Sequence, residues 1–234
     1  MAPVGTTLLR GLLAGAGAGL ATGLVGLVFA EPTLDAAIAL ETGGGDELFS
    51  RGTQQFGLVL GLVLVGAALG LLFGLAYRLV PAETRPWHRS LLLALGGFTA
   101  LYLVPFLRYP ANPPGVGDLS TLESRTSSYL LCIALGLAVV TGSYAAVRAL
   151  DRRGVGAWQR QVGVTAAALL IVSLAYALLP DAAAPLGDTP AGLVWDFRLR
   201  SLGLQALLYA VLGTVFGIVA ERSAASRPSF AERA

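Results

Sequence analysis

Two carboxylates that could bind a cation stand close together in the stretch EPTLDAAIALE, residues 31–41. Pro32 suits the first turn of a helix, and the spacing of four places Glu31 and Asp35 on one face of that helix. Carboxylate oxygens are ligands of hard and borderline divalent metals, so this pair predicts a metal site. The alternative is that both charges only solvate a short helix at a membrane surface.

Further oxygen ligands occur in the stretch LRYPANPPGVGD, residues 107–118. Proline cannot donate a backbone hydrogen bond and glycine allows tight turns, so this stretch is a stiff loop. A stiff loop can hold Asn112 and Asp118 as metal ligands at low entropic cost. Alternatively, it is a structural cap over helix ends. The candidate structural loop comprises Arg108, Tyr109, Pro110, Pro113 and Pro114.

Amide side chains within or beside apolar segments could line a polar path through a membrane. Gln54 and Gln55 begin one such segment, and Gln205 lies inside another. The alternative is that these amides hydrogen-bond across neighbouring helices, as amides in lipid commonly do.

Enzyme chemistry has few candidate residues in this chain. It contains one His, His88, and one Cys, Cys132, which excludes cages of several Cys or His ligands and leaves no nucleophile–base set. All sixteen basic residues are arginines, so a P-loop, which requires lysine, is also excluded. We expect no enzyme activity and no permanently bound cofactor.

The composition indicates that these residues are positioned by membrane helices. The chain is 55% hydrophobic and 13% charged, whereas soluble domains carry about 25% charged residues. The mean hydropathy of +0.71 fits a lipid bilayer as the solvent. The net charge of +2 argues against nucleic-acid binding.

Six apolar segments are long enough to span a bilayer as helices, because about 20 residues cross the hydrocarbon core. The backbone must satisfy its own hydrogen bonds in lipid, so the predicted fold class is all-α: one membrane domain, 1–234, of six helices arranged as three helical hairpins. The predicted spans are 8–30, 56–77, 90–107, 128–147, 161–179 and 202–220, with a cytoplasmic tail at 221–234.

The arginines predict the orientation. With both termini in the cytoplasm, the inner ends and loops hold eleven arginines and four acids, and the outer loops hold five arginines and ten acids. This is the positive-inside distribution of a multi-pass cell-membrane protein. The first apolar run exceeds the roughly 7–15 residues of a signal-peptide core, so we expect it to be retained as a helix.

A weak repeat accompanies the predicted hairpins. Outward helices end near Pro32, Pro105 and Pro180, and an arginine precedes each return helix, at Arg51, Arg125 and Arg200. In addition, glycines recur every four residues in the first helix, at Gly11, Gly15, Gly19 and Gly23. Such rows allow close helix packing, either within the bundle or against a partner's helix.

Several motifs together resemble the CbtA family of predicted cobalt transporter subunits, over nearly the whole chain. They are LLRGLLAG (8–15), FAEPTLDAAIALE (29–41), SRGTQ (50–54), LYLVPFLRYPANPPGVGD (101–118), FRLRSLGLQ (197–205) and VFGIVAER (215–222). The resemblance implies uptake of cobalt(II) as the transported ion, serving cobalamin synthesis. It also implies a small partner, CbtB, with one membrane helix and a His-containing tail.

From these observations we expect a membrane subunit of a cobalt uptake transporter. The cation path would be entered from the acidic outer face, where negative loops raise the local cation concentration. The alternative function is a non-transporting membrane scaffold or accessory subunit that docks a partner through its glycine-rich helix faces.

Overall fold

Helices make up the secondary structure in the computed structural model, which describes residues 3–40, 49–81, 85–117, 122–180 and 186–225. A π-helical turn, Thr99–Leu103, joins the fourth helix to the fifth. In chain order the helices are α1 Val4–Phe29, α2 Glu31–Ile38, α3 Arg51–Leu79, α4 Pro86–Phe98, α5 Val104–Arg108, α6 Leu122–Arg152, α7 Ala157–Leu178 and α8 Ala191–Ala225.

Within these described ranges, six helical segments are long and apolar enough to cross a membrane, which confirms the predicted all-α membrane fold. The spans are α1, α3, the segment from α4 through α5, α6, α7 and α8. Several extend beyond the predicted apolar runs. For example, α6 reaches Arg152 and α8 reaches Ala225, so the predicted tail begins inside the last helix. A helix can continue into polar residues past the hydrocarbon, and arginine in its last turn is favourable beside the C-terminal carbonyls.

The chain forms two compact units, and the single membrane domain stays a prediction. The first unit contains Met1–Leu95 and Leu199–Ala234, and the second contains Gly96–Arg198. The first therefore holds α1, α2, α3, most of α4 and most of α8. The second holds the π-helical turn, α5, α6 and α7.

Glycine backbones bring α1 and α3 together in the first unit. A Cβ atom added to Gly15 would collide with the carbonyl oxygen of Gly66 and lie 2.8 Å from the Cα of Gly70. Likewise, a Cβ atom on Gly11 would collide with the carbonyl oxygen of Gly70. The absence of side chains lets the two backbones touch, which is how small residues drive helix association in lipid. This face of α1 is therefore occupied by α3.

The apolar core of the first unit joins residues of α1, α3, α4 and α8. The phenylalanines Phe73 and Phe216 meet edge to face at 5.2 Å between ring centroids. One polar contact crosses the same region, where the Ser90 hydroxyl donates to the carbonyl oxygen of Gly213 at 2.7 Å. The core residues are Ala14, Ala18, Phe73, Ala94, Leu208, Leu212 and Phe216.

The regular α-helical hydrogen bonding of the third membrane span is interrupted within the second unit. Val104 donates its backbone N–H to the carbonyl oxygen of Thr99 instead of that of Ala100, and the next residue, Pro105, has no N–H. The Ala100 carbonyl therefore receives neither bond. Gly136 of α6 lies against it, since a Cβ atom there would collide with the Ala100 oxygen. Irregular backbone at membrane depth needs such protein cover.

Candidate cation-capture site and outer loop

Arg51 joins the two predicted carboxylate ligands in the first unit. Because α2 begins at Glu31, directly after α1, the spacing of four brings Glu31 and Asp35 to one side of this short helix. Arg51 is the first residue of α3; its Nη2 atom lies 2.9 Å from Glu31 Oε1. Its Nε atom donates to Asp35 Oδ1 at 2.9 Å. The predicted pair is thus assembled around a guanidinium group.

The two glutamines at the start of α3 belong to the same cluster. Gln55 Nε2 donates to Glu31 Oε1 at 2.9 Å. Arg51 Nη1 donates to Gln54 Oε1 at 2.6 Å, and Gln54 Nε2 donates to the carbonyl oxygen of Phe49 at 3.1 Å. Both amides are therefore hydrogen-bonded at the N-terminal end of α3. The sequence predicted either such hydrogen bonds or a role in lining a polar path.

The two carboxylates differ in their exposure to solvent. Glu31 is only 6% exposed, and both of its partners are needed to compensate the desolvated charge. Asp35 keeps 55% of its side chain exposed and Arg51 keeps 30%. A solvent-exposed ion pair of this kind contributes about 0–1 kcal/mol, so releasing Arg51 from Asp35 costs little. Two carboxylates and one guanidinium leave the cluster with one net negative charge.

In the second unit, Arg108 and Tyr109 bind the end of α7. Arg108 Nη2 donates to the carbonyl oxygens of Leu179 at 2.9 Å and Pro180 at 2.6 Å, and the Tyr109 hydroxyl donates to Pro180 at 3.0 Å. Carbonyls at a helix C-terminus lack intrahelical donors and need such partners. Tyr109 is buried, so this pair fastens two helix ends within the protein.

A second arginine holds the proline-rich loop that follows α5. Arg198 donates to Asn112 Oδ1 at 2.8 Å and to the carbonyl oxygen of Ala111 at 3.3 Å. Pro113 is buried, and Gly117 has a φ of 123°, a conformation that favours glycine. The amide oxygen of Asn112 thus already accepts a hydrogen bond from Arg198. Asp118 lies outside the described residues.

The predicted ligands therefore fall into separate groups. Glu31 and Asp35 belong to the first unit and Asn112 to the second, so a shared site stays a prediction. No group of three His, Cys, Asp or Glu residues that could hold a metal occurs in the part of the chain that the structure describes. His88 is exposed and Cys132 is a buried free thiol.

The role of the arginines is the main feature that reasoning from ligand types missed. Arg200 of α8 donates to the carbonyl oxygen of Phe29 at the end of α1. Pro32 cannot supply an N–H to that carbonyl, and Thr33 donates to Ala30 instead. Pro32 and Arg200 belong to the repeated Pro and Arg positions of the sequence, and at this one place the arginine replaces the donor that the proline lacks.

The comparisons with known proteins agree with this membrane architecture. The family model of CbtA, described as a probable cobalt transporter subunit, matches residues 4–221. No curated protein and no solved structure shows a significant match. Because the family model matches residues 4–221 of the 234, the chain belongs to the CbtA family of probable cobalt transporter subunits.

Proposed function

We propose that this chain is the membrane subunit of a cobalt(II) uptake system that supplies cobalamin synthesis. The observation that carries the proposal is family membership over residues 4–221. Six apolar helices suit a pathway for an ion that lipid excludes. The acidic outer loops favour a cationic substrate, because clustered negative charge raises the local cation concentration.

Glu31 and Asp35 are proposed as the first ligands that the cation meets. Arg51 neutralises them in the absence of the ion, and its hydrogen bond to Gln54 retains it when the carboxylates turn to the cation. Cation binding is then an exchange of one positive group for another. This avoids a buried, unpaired Glu31, whose desolvated charge would be costly.

Additional oxygen ligands in this proposal come from Asn112 and Asp118 of the outer loop. Gln54, Gln55 and Gln205 would line the path inward. Both termini lie in the cytoplasm, and the protein is located in the cell membrane. A small subunit with one membrane helix, similar to CbtB, is the proposed partner, since the family description is that of a subunit.

Cobalt uptake by cobalt-starved cells tests this function. We expect cells that express the chain with its small partner to accumulate radioactive cobalt from nanomolar concentrations, and cells with an empty vector not to do so. The chain alone is measured in parallel, which shows whether it transports without the partner. Equal accumulation in all strains, with the protein present in the membrane, would contradict the proposal.

The proposed orientation has a separate test. A reporter fused after Ala234 should be active in the cytoplasm, and one inserted at Gly44 should be active outside, because arginines accumulate on the cytoplasmic side. A cytoplasmic signal at Gly44 would reverse the orientation. The mass of the mature protein is the control for processing, since cleavage of the first helix would yield a chain beginning at Glu31.

A further inference from the structure

Thr22 of α1 has a buried hydroxyl group with no hydrogen-bond partner among the described residues. Thr22 is 1% exposed. Other hydroxyls of this protein bond to the carbonyl one turn earlier: Thr7 donates to Pro3 and Ser223 to Val219. A buried polar group without a partner is costly in lipid, so its retention needs an explanation such as a water molecule or an ion.

The helix α8 packs against α1 one turn away from Thr22. Arg200 donates to the carbonyl oxygen of Phe29, and a Cβ atom on Gly26 would lie 3.6 Å from Leu204 Cδ1. The two helices are therefore antiparallel here, with lower residue numbers of α1 beside higher residue numbers of α8. Thr22 lies one turn inward from Gly26 on the same face of α1, which directs it to α8.

Gln205 lies within one helical turn of Thr22 in depth. Counted from the contact between Gly26 and Leu204, Thr22 lies four residues, about 6 Å, further along α1, and Gln205 lies one residue, about 1.5 Å, further along α8. The Gln205 side chain is half-buried, and no hydrogen bond of its amide is found within the part of the chain that the structure describes. Two polar groups without partners therefore occur within one turn of each other, on adjoining helices of one unit.

We infer that the Thr22 hydroxyl and the Gln205 amide form an intramembrane oxygen-donor site for the hydrated divalent cation. The site rests on the proposed function and extends the path inward from Glu31 and Gln55, which belong to the same unit. Neutral oxygens suit this depth, because they replace part of the water shell of the cation without binding it as tightly as carboxylates.

Replacing Thr22 by valine tests the site, because valine has nearly the same shape and lacks the hydroxyl. The cobalt concentration for half-maximal uptake should rise about tenfold, the loss of one bond to a charged group. The melting temperature in detergent should stay equal or increase, since an unsatisfied buried group is removed. Thr22→Ser, which keeps the hydroxyl, should retain the uptake.

The matched control is Thr141→Val, where the hydroxyl removed bonds to its own helix at Leu137. This variant should transport like the wild type. Gln205→Leu should impair uptake, and the double variant Thr22→Val with Gln205→Leu should lose less than the two separate effects combined, because both belong to one site.

The outcomes separate this inference from the proposed function. Wild-type cobalt uptake together with unchanged uptake by Thr22→Val overturns the Thr22 site and leaves the proposed function intact. Full additivity of the two substitutions would contradict a shared site. Absence of cobalt uptake by the wild type, alone and with its partner, overturns the proposed function and the site with it.

Discussion

Replacing Gly15 by leucine should prevent α1 from packing against α3 and abolish accumulation of folded protein. The Cβ atom alone would collide with the carbonyl oxygen of Gly66 and lie 2.8 Å from Gly70 Cα, so no side-chain rotamer relieves the clash. Overpacking a core commonly costs about 1–3 kcal/mol, and a clash between rigid backbones exceeds what rotamer changes can absorb. Membrane-fraction protein level and the melting temperature in detergent measure the effect.

Gly17 provides the matched control for this substitution. It lies two residues away on the same helix, and a Cβ atom there meets nothing within 4 Å. Gly17→Leu should therefore fold, and the removal of a helical glycine should stabilise the protein by about 1 kcal/mol. Equal melting temperatures for the Gly15 and Gly17 variants would show that α1 and α3 do not meet through these glycines.

Substituting the two carboxylates that bind Arg51 and substituting Arg51 itself should change the cobalt affinity in opposite directions. The double variant Glu31→Gln with Asp35→Asn should raise the cobalt concentration for half-maximal uptake by at least about tenfold, because bonds to charged groups contribute roughly 1.5–3 kcal/mol. Arg51→Gln should lower that concentration, since it removes the positive group that competes for both carboxylates. Uptake is measured over a range of cobalt concentrations and normalised to membrane-fraction protein.

A purely structural ion pair predicts another pattern. In that case Arg51→Gln and the carboxylate variant would both lower the melting temperature, while cobalt affinity per folded molecule would stay unchanged. Asp196→Asn is the control, because Asp196 is an exposed carboxylate of α8 on the predicted outer side. It should leave the half-saturating concentration close to the wild-type value. A reduced affinity in Arg51→Gln would contradict competition between the guanidinium and the cation.

The membrane fold could be predicted from the sequence because bilayer insertion depends on local, additive properties. Six apolar runs of sufficient length specify six helices, since each helix satisfies its own backbone hydrogen bonds. The family resemblance was equally readable and is confirmed by the match over residues 4–221. Several helices extend past the predicted spans, because hydropathy measures where lipid ends and not where a helix ends. The π-helical turn was also missed, because the presence of Pro105 does not show which carbonyl oxygen accepts the hydrogen bond of the preceding residue.

The hydrogen-bond partners were decided by the tertiary structure. The spacing of Glu31 and Asp35 predicted a shared face, but only the packing of α3 on α1 brings Arg51 between them. Asn112 was a candidate ligand, and the structure engages its oxygen with Arg198. Thr22 resembles any helical threonine until its neighbours are known. The physical reason is that residue type specifies what a group can bond, whereas the helices that meet it determine which bonds form.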